Sequence, residues 1–383
     1  MREKATMRFT KAQIKNFRNH DYTELEFGRG TNIFVGLNGQ GKTNILEALS
    51  YLCLTKSFYA SNDSVVLSWG KESFEVEGQT IADTGTESTL RVAYQAQPPE
   101  KAYSINKRRM EPFSSIIGRY PIVVLSPEHA PITFAGPAER RRFVDTLLSQ
   151  SSHAYLENLL EYRRVLQQRN KVLLDTRLGR ANPSELLEPW DVQLIAAGSY
   201  IVQRRREFVL QFQSYIVSAY HRLSSEEEPK IEYTPCFWIG DTRTEEELQQ
   251  RFRAELAKRN DEELRIGNTL VGPHRDEFLF QINESDLRKY ASQGQHKTFL
   301  LALKLGEFFY LKERRGETPA MLMDDVFSEL DEQRSARVLE FIGDLGQTFI
   351  TSTQPGVFDE LLSLGDHNRR FYVTSGTVAY ETV

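Results

Sequence analysis

Along the chain the apolar residues change period several times, and each change predicts a different element. Residues 8–35 carry strand patterns in "RFTKAQIKNF", "YTELEFG" and "TNIFVG". The last of these is short and β-branched, and it runs straight into a Gly-rich loop. After Lys42 the spacing turns helical in "TNILEALSYLCL", with Ile45, Leu46, Leu49 and Leu52 on one side. Residues 63–125 are strand-rich again. "SFEVEGQTIAD" and "TLRVAYQAQ" flank a turn at Gly85 as in a hairpin, and "YPIVVLSPE" ends at Pro127. From about Pro137 the texture changes, and Tyr155, Leu159, Tyr162 and Leu166 recur at helical spacing. Pro183 and Pro189 interrupt, and a second long helix carries Leu194, Ile201, Phe208, Phe212, Tyr215 and Ala219. Around 266 strands return in "NTLVGPHRDEFLFQI". "ASQGQHKT" then opens a helix with Phe299, Leu303, Gly306 and Phe309 on one face. "AMLMDDVFSELDEQR" reads as strand, turn and helix, and "TFITSTQP" as a strand before a strand-rich tail.

This order predicts an α/β protein in three parts: 1–136, a helical lobe over 137–265, and 266–383. A chain of 383 residues is long enough for more than one core. The formal net charge of −5 argues against a generally basic nucleic-acid binder but leaves room for a local basic face. The charge is uneven: residues 138–225 hold 13 Lys+Arg against 9 Asp+Glu, and 226–263 hold 6 against 12. Three basic clusters stand out, Lys107–Arg109, Arg140–Arg142 and Arg204–Arg206. Each reads either as a solvated face or as a phosphate track. Two cysteines, Cys53 and Cys236, make no disulfide framework, which points to a reducing compartment. The first residues hold no apolar core of signal-peptide length. No run approaches the roughly 18 apolar residues of a membrane span. A soluble, cytoplasmic protein without a membrane partner is expected.

The chemistry begins at "GLNGQGKTN", Gly36 to Asn44, which reads G-x-x-x-x-G-K-T. Gly36, Gly39 and Gly41 let the backbone curl so that N–H groups along Leu37, Asn38, Gln40 and Asn44 face phosphate oxygens. The following helix adds its positive end. Lys42 is placed to reach the β/γ-phosphates, and the Thr43 hydroxyl to bind Mg²⁺. ATP or GTP is the expected ligand. Far downstream, "AMLMDD" is a greasy strand ending in acid. Beside a phosphate loop, Asp324 becomes a candidate for the Mg²⁺ shell. Asp325 becomes a candidate to orient or polarise the attacking water; the plainer reading of Asp325 is a supporting carboxylate or helix cap. "SQGQ", Ser292 to Gln295, is a second anion-binding helix start, or an ordinary helix with Ser292 as its N-cap.

Taken together, "GLNGQGKTN", the late "SQGQ", "MLMDDVFSELD" and "TFITSTQ" resemble the head of an SMC-type cassette ATPase. More narrowly, "NFRNHD", "LSPEH…GPAERRRFVD", "VGPHRDE", "ASQGQHKT" and "DDVFSELD" resemble the RecF family of DNA recombination-repair proteins, in order over essentially the whole chain. The resemblance implies an ABC-type P-loop ATPase head split between the two chain ends, with a short inserted helical arm and no long coiled coil. It implies ATP and Mg²⁺ as ligands, with Lys42, Asp324, Asp325 and Ser292 as the catalytic set. It also implies an ATP-dependent homodimer in which Ser292, Gly294 and Gln295 complete the partner's site. "SELD", Ser328 to Asp331, falls at the D-loop position, and "SPEHA" at the Q-loop region, with Glu128 its candidate. The implied work is DNA binding at gaps and single-/double-strand junctions with little sequence preference. RecR is the implied partner, with RecO and RecA beside it, and recombinational repair and the SOS response the setting.

Three departures from the family pattern bear on this. Many cassette ATPases carry Glu where Asp325 stands, so slow turnover is expected. Their switch histidine aligns with Thr353, which can bond a phosphate but cannot act as a base. Family members often carry Arg at the position of Tyr59, with Lys56 as a substitute here. Two other classes share parts of the pattern. A transport ATPase subunit shares the loop and signature, but its head is not split by a helical lobe. A small-molecule P-loop kinase needs neither the signature nor the dimer.

Overall fold

Two sheets with one helix between them position the phosphate loop. The computed structural model of the protein describes residues 7–60, 62–180, 186–224, 226–240, 242, 244–329, 332–359 and 367–380. They fall into two units. The first is drawn from Met1–Ala130, Ser218–Ser225 and Leu300–Val383, and the second from Pro131–Val217 and Glu226–Phe299.

In the first unit, β1 (Arg8–Phe17), β2 (His20–Glu26), β4 (Ser73–Ile81), β5 (Glu87–Ala96), β6 (Pro99–Ile105) and β7 (Arg108–Arg109) form an antiparallel sheet of order β2-β1-β4-β5-β6-β7. The β4–β5 hairpin turns at Gly85. β6 extends it as a strand that the hydrophobic pattern does not announce, because "PEKAYSI" is mostly polar. The second sheet has the order β15-β14-β3-β13-β12-β8. It joins β3 (Thr31–Val35) and β8 (Ile122–Leu125) from the front of the chain to β12 (Ala320–Met323), β13 (Thr348–Ser352), β14 (Arg369–Thr374) and β15 (Thr377–Tyr380) from its end. All its pairings are parallel except β14–β15. β3, β8, β12 and β13 are buried along their whole length, as expected of parallel strands covered on both faces. Helix α1 (Lys42–Leu54) packs on both sheets, and its buried face carries Ile45, Leu46, Leu49 and Leu52. Buried Gln347 ties the sheets together. Its amide accepts from the Phe9 N–H at 2.7 Å and donates to the carbonyls of Phe9 at 2.8 Å and Gly28 at 2.7 Å.

The second unit holds α3 (Pro137–Ser151), which follows the short α2 (Pro131–Phe134), and then α4 (His153–Arg177), most of α5 (Glu188–Leu223) and α6 (Glu245–Ile266). A small sheet of order β11-β10-β9 joins them, built from β9 (Pro229–Thr234), β10 (Glu277–Ile282) and β11 (Ser285–Asp286). Because β9 on one side of α6 pairs with β10 on the other, the sequence boundary drawn at 265 falls inside this unit. The strand expected over "NTLVGPHRDEFLFQI" is confined to Glu277–Ile282. Gly272, at φ 134, and Pro273 turn the preceding residues into a 3₁₀ turn instead. The longest helix has 36 residues, and no long coiled coil occurs among the described residues. No helix among the described residues is long and apolar enough to cross a membrane.

Candidate functional site: a phosphate loop and two carboxylates

The Gly36–Gly41 loop leaves the C-terminal end of β3 and enters α1 at Lys42. Two turns from remote parts of the chain hold it. In the β1–β2 turn, Asn19 donates to the Gln40 carbonyl at 3.0 Å and accepts from the Asn44 side chain at 2.7 Å. The neighbouring His20 ring bonds the Gly41 carbonyl at 3.0 Å and the Thr23 hydroxyl at 2.9 Å. Burial holds this imidazole below the ordinary histidine range, so it bonds as the neutral ring. In the β14–β15 turn, the Ser375 N–H donates to the Gln40 side chain at 2.6 Å and the Gly376 N–H to the Gln40 carbonyl at 2.9 Å. Gly41 sits at φ 110, and a Cβ there would lie 2.6–2.9 Å from Asn19 and His20. Both the conformation and the space demand glycine. "NFRNHD" was legible as a family motif; its role as the loop's outer support was not.

Lys42 folds back over the loop, its ammonium donating to the carbonyls of Gly36 at 2.7 Å and Leu37 at 2.8 Å. Burial pulls its pKa down, against the opposing pull of Asp325 and Asp324. Thr43 lies 281 positions from Asp324 in sequence, yet its hydroxyl donates to the Asp324 carboxylate at 2.7 Å. The strand order explains the meeting. β3 and β12 are both neighbours of β13, so their C-terminal ends open on one edge, where open α/β sheets bind ligands. From β13 itself, Thr351 donates to Asp324 at 2.7 Å and accepts from the Asp325 N–H at 2.8 Å. Burial raises the Asp324 pKa, while the bonds from Thr43 and Thr351 work the other way.

Asp325 occupies the left-handed region at φ 49, uncommon for a residue other than glycine. One of its carboxylate oxygens is buried with no hydrogen-bond partner among the described residues. Asp325 lines a cavity of about 140 Å³, together with Asn38, Lys42, Thr43 and Thr351. A hydroxyl and a carboxylate beside an ammonium and a glycine loop fit a magnesium-bound nucleoside triphosphate, since Mg²⁺ selects hard oxygen donors. Thr353 stands past the end of β13 and outside that lining; Thr351 is the threonine between the two carboxylates.

Ser292, Gly294 and Gln295 belong to the second unit, at the start of α7 (Gln293–Arg315). Ser292 is exposed and caps the helix. Its hydroxyl accepts from the Gln295 N–H at 3.2 Å, and the Gln295 side chain accepts from the Ser292 N–H at 2.7 Å. Tyr59 is 57% exposed, with the Arg18 guanidinium 5.6 Å from its ring centre. Arg18 is itself forked onto buried Glu47, with both bonds at 2.8 Å. Glu128 lies exposed on a 3₁₀ turn. Of "SELD", the Ser328 hydroxyl donates to the Asp325 carbonyl at 2.8 Å, whereas Leu330 and Asp331 lie outside the described residues.

The basic clusters are largely consumed inside their own units. Arg140 is buried against Glu277 at 3.0 Å and the Ala135 carbonyl. Arg205 is fully buried, donating to Asp145 at 2.8 Å, Asp276 at 2.9 Å and the Pro273 carbonyl at 2.7 Å. Arg204 pairs with Glu207, and Arg206 donates to the Thr242 carbonyl. Arg109 pairs with Glu100 and Glu111. "GPHRD" likewise turns inward: Asp276 accepts from Arg205, Tyr233 and the Cys236 N–H. His274 bonds Tyr162 at 2.6 Å and the Thr269 carbonyl, and burial pushes its pKa down to about 4. No cluster of metal-binding side chains occurs among the described residues.

With this geometry in hand, three comparisons place the chain. Residues 8–375 match the family model described as the RecF/RecN/SMC N terminal domain. A protein of Chloroherpeton thalassium named DNA replication and repair protein RecF is 43% identical over 360 residues, 93% of this chain and 97% of its own length. One of the same name from Salinibacter ruber is 40% identical over 92% of this chain and 86% of its own. A solved structure described as the recombination mediator protein RecF-ATP in the RecFOR pathway superposes with a TM-score of 0.91. It is 30% identical and covers 100% of this chain and 99% of that one. An Smc head domain from Pyrococcus furiosus shares the fold, with a TM-score of 0.57 at 14% identity over 98% and 96% of the two chains.

Proposed function

The chain belongs to the RecF family within the RecF/RecN/SMC group, and on that premise we propose that it is a DNA replication and repair ATPase whose heads pair around ATP. The observation that carries this reading is the meeting of Thr43 and Asp324 at 2.7 Å beneath Lys42. The loop amides and Lys42 bind the triphosphate, and Thr43 and Asp324 hold the metal. Mg²⁺, when bound, would supply neutralisation of the phosphate charge. Asp325, which lines the cavity and has one oxygen without a partner among the described residues, orients the attacking water and takes its proton. Aspartate is one methylene shorter than the glutamate of many such heads, which favours slow turnover.

The exposed Ser292 helix start of one subunit completes the phosphate site of the other, together with Gly294 and Gln295. A γ-phosphate shared by two anion-binding ends holds the heads together while it is present, and its loss releases them. The dimer binds DNA at gaps and single-/double-strand junctions, and with RecR, RecO and RecA it serves recombinational repair and the SOS response. Two copies of one weak surface bind a long polyanion with avidity, and phosphate-led binding reads little sequence.

The test is the mass of the protein in solution, by sedimentation, with Mg-ATP and with Mg-ADP, in the Asp325→Asn variant. Asparagine tolerates the left-handed backbone at least as well as aspartate, so the variant should fold. Hydrolysis should fall by about 10²–10⁴-fold. A dimer with ATP and a monomer with ADP is the expected result. A monomer in both, with ATP shown to be bound, removes the shared-site mechanism.

A further inference from the structure

Three sequence motifs that the ATPase leaves unused, Arg140–Arg142, Arg204–Arg206 and "GPHRD", converge on one pocket in the second unit. It has a volume of about 220 Å³. α3 supplies Arg141, Arg142 and Asp145 to it, residues that one helical face brings together. α4 supplies Tyr162 and Arg163, α5 supplies Arg205, and the 273–275 turn closes one wall with His274. Four arginines thus line the pocket with a single carboxylate.

That carboxylate is already committed. Asp145 accepts from Arg205 at 2.8 Å, from the Tyr155 hydroxyl at 2.6 Å and, more loosely, from Arg163 at 3.4 Å. Asp276 behind the wall takes the other side of Arg205 at 2.9 Å. Arg142 pairs with Glu139 but remains 74% exposed, and Arg163 is 59% exposed, so both stand at the rim. Arg141 is different. It is half-buried, and its guanidinium makes one bond, to the Asp276 carbonyl at 2.6 Å, with no carboxylate partner among the described residues. Burial and the neighbouring Arg205 work against its charge and lower its pKa, although Asp276, Glu277 and Asp145 pull the other way. A partly desolvated guanidinium with most of its donors unspent is costly in isolation, and it is a ready fork for an oxyanion.

We propose that this pocket binds a phosphoryl group, with Arg141 as its floor and Arg142 and Arg163 at its mouth. The group is carried by a nucleic-acid backbone or is free phosphate. The nucleic-acid source rests on the DNA-binding function proposed above; the free-phosphate source does not.

The experiment uses the full chain with Asp325→Asn and saturating Mg-ATP, so that the phosphate loop is filled. Arg141→Gln is compared with its parent for binding of a gapped duplex oligonucleotide across a salt series, and of inorganic phosphate by calorimetry. If a strand supplies the group, Arg141→Gln weakens oligonucleotide binding about tenfold whatever the sequence, and lowers the salt slope by about one. If free phosphate supplies it, phosphate binding is lost and oligonucleotide binding is unchanged. Unchanged binding of both overturns the proposal. Should Arg141→Gln fail to fold, the rim variant Arg163→Gln should shift the same readouts about threefold, and no shift there overturns it equally. If the parent binds no oligonucleotide at all, the functional reading has failed, and the phosphate titration still decides the pocket.

Discussion

The hydroxyl of Thr351 donates to Asp324 and accepts from the Asp325 amide, both within 2.8 Å. It therefore orients the Asp324 carboxylate, proposed above to hold the metal, and pins the left-handed backbone of Asp325. Thr351→Val keeps the shape and removes both bonds, leaving a buried amide unpaired at a cost of about 1–3 kcal/mol. We expect phosphate release to slow by roughly ten- to a hundredfold, with the fold retained. Thr353→Val should change it less than about threefold, within the few tenths of a kcal/mol typical of uninvolved sites. The opposite ranking in a phosphate-release assay would return the role to Thr353. Alignment of "TSTQ" with a family pattern singled out Thr353, whereas the threonine that bonds both acids is Thr351. A two-residue step along a strand keeps the face, and only the pairing of β13 with β12 shows which threonine meets the acids. The loop itself, Lys42, Thr43 and Asp324 were legible because each residue type is demanded by phosphate or metal chemistry at fixed spacing. Arg140 and Arg205 were not, since a buried arginine looks like a surface one until its carboxylates arrive from 137 and 60 positions away.

Among the elements, α5 meets α6 and α4 at Gly198, where a Cβ would lie 2.5 Å from the Phe252 ring and 3.1 Å from Tyr162. Two effects compete when this glycine becomes alanine. Helix propensity favours alanine by about 1 kcal/mol. Forcing a methyl into packed aromatic rings costs about 1–3 kcal/mol. The distances are too short for the rings to yield without moving a helix, so the second effect should win. Gly198→Ala is expected to lower the urea midpoint of the second unit; a raised midpoint would mean that the rings give way freely. Helices and hairpins were the readable part of this unit, because periodicity is a local property. The β9–β10 pairing across α6 was not readable, because nothing in either strand names its partner.

Across the whole molecule, the strand that carries the phosphate loop has no sheet neighbour from its own half of the chain. β13 flanks β3 on one side and β14 on the other, and the turn after β14 grips Gln40. Deleting residues 369–383 exposes one edge of β3 and frees the loop. Full loss of ATP binding is the expected outcome, read by titration with a fluorescent nucleotide, although no phosphate-contacting residue is removed. Binding within about threefold of the intact chain, a difference under 1 kcal/mol, would show that β14 is dispensable.

The same strand order imposes a timetable on the ribosome. β3 emerges early, but its two neighbours, β13 and β14, are made only after the whole helical unit between them. At ~5–20 residues per second, synthesis of the intervening chain takes roughly fifteen to sixty seconds. During that time a bare strand, buried along its whole length in the finished sheet, must be shielded by something other than that sheet. A nascent chain is expected to hold no ATP before β13 and β14 have emerged. Messages cut short anywhere upstream yield products that neither trap nucleotide nor compete with finished copies for it.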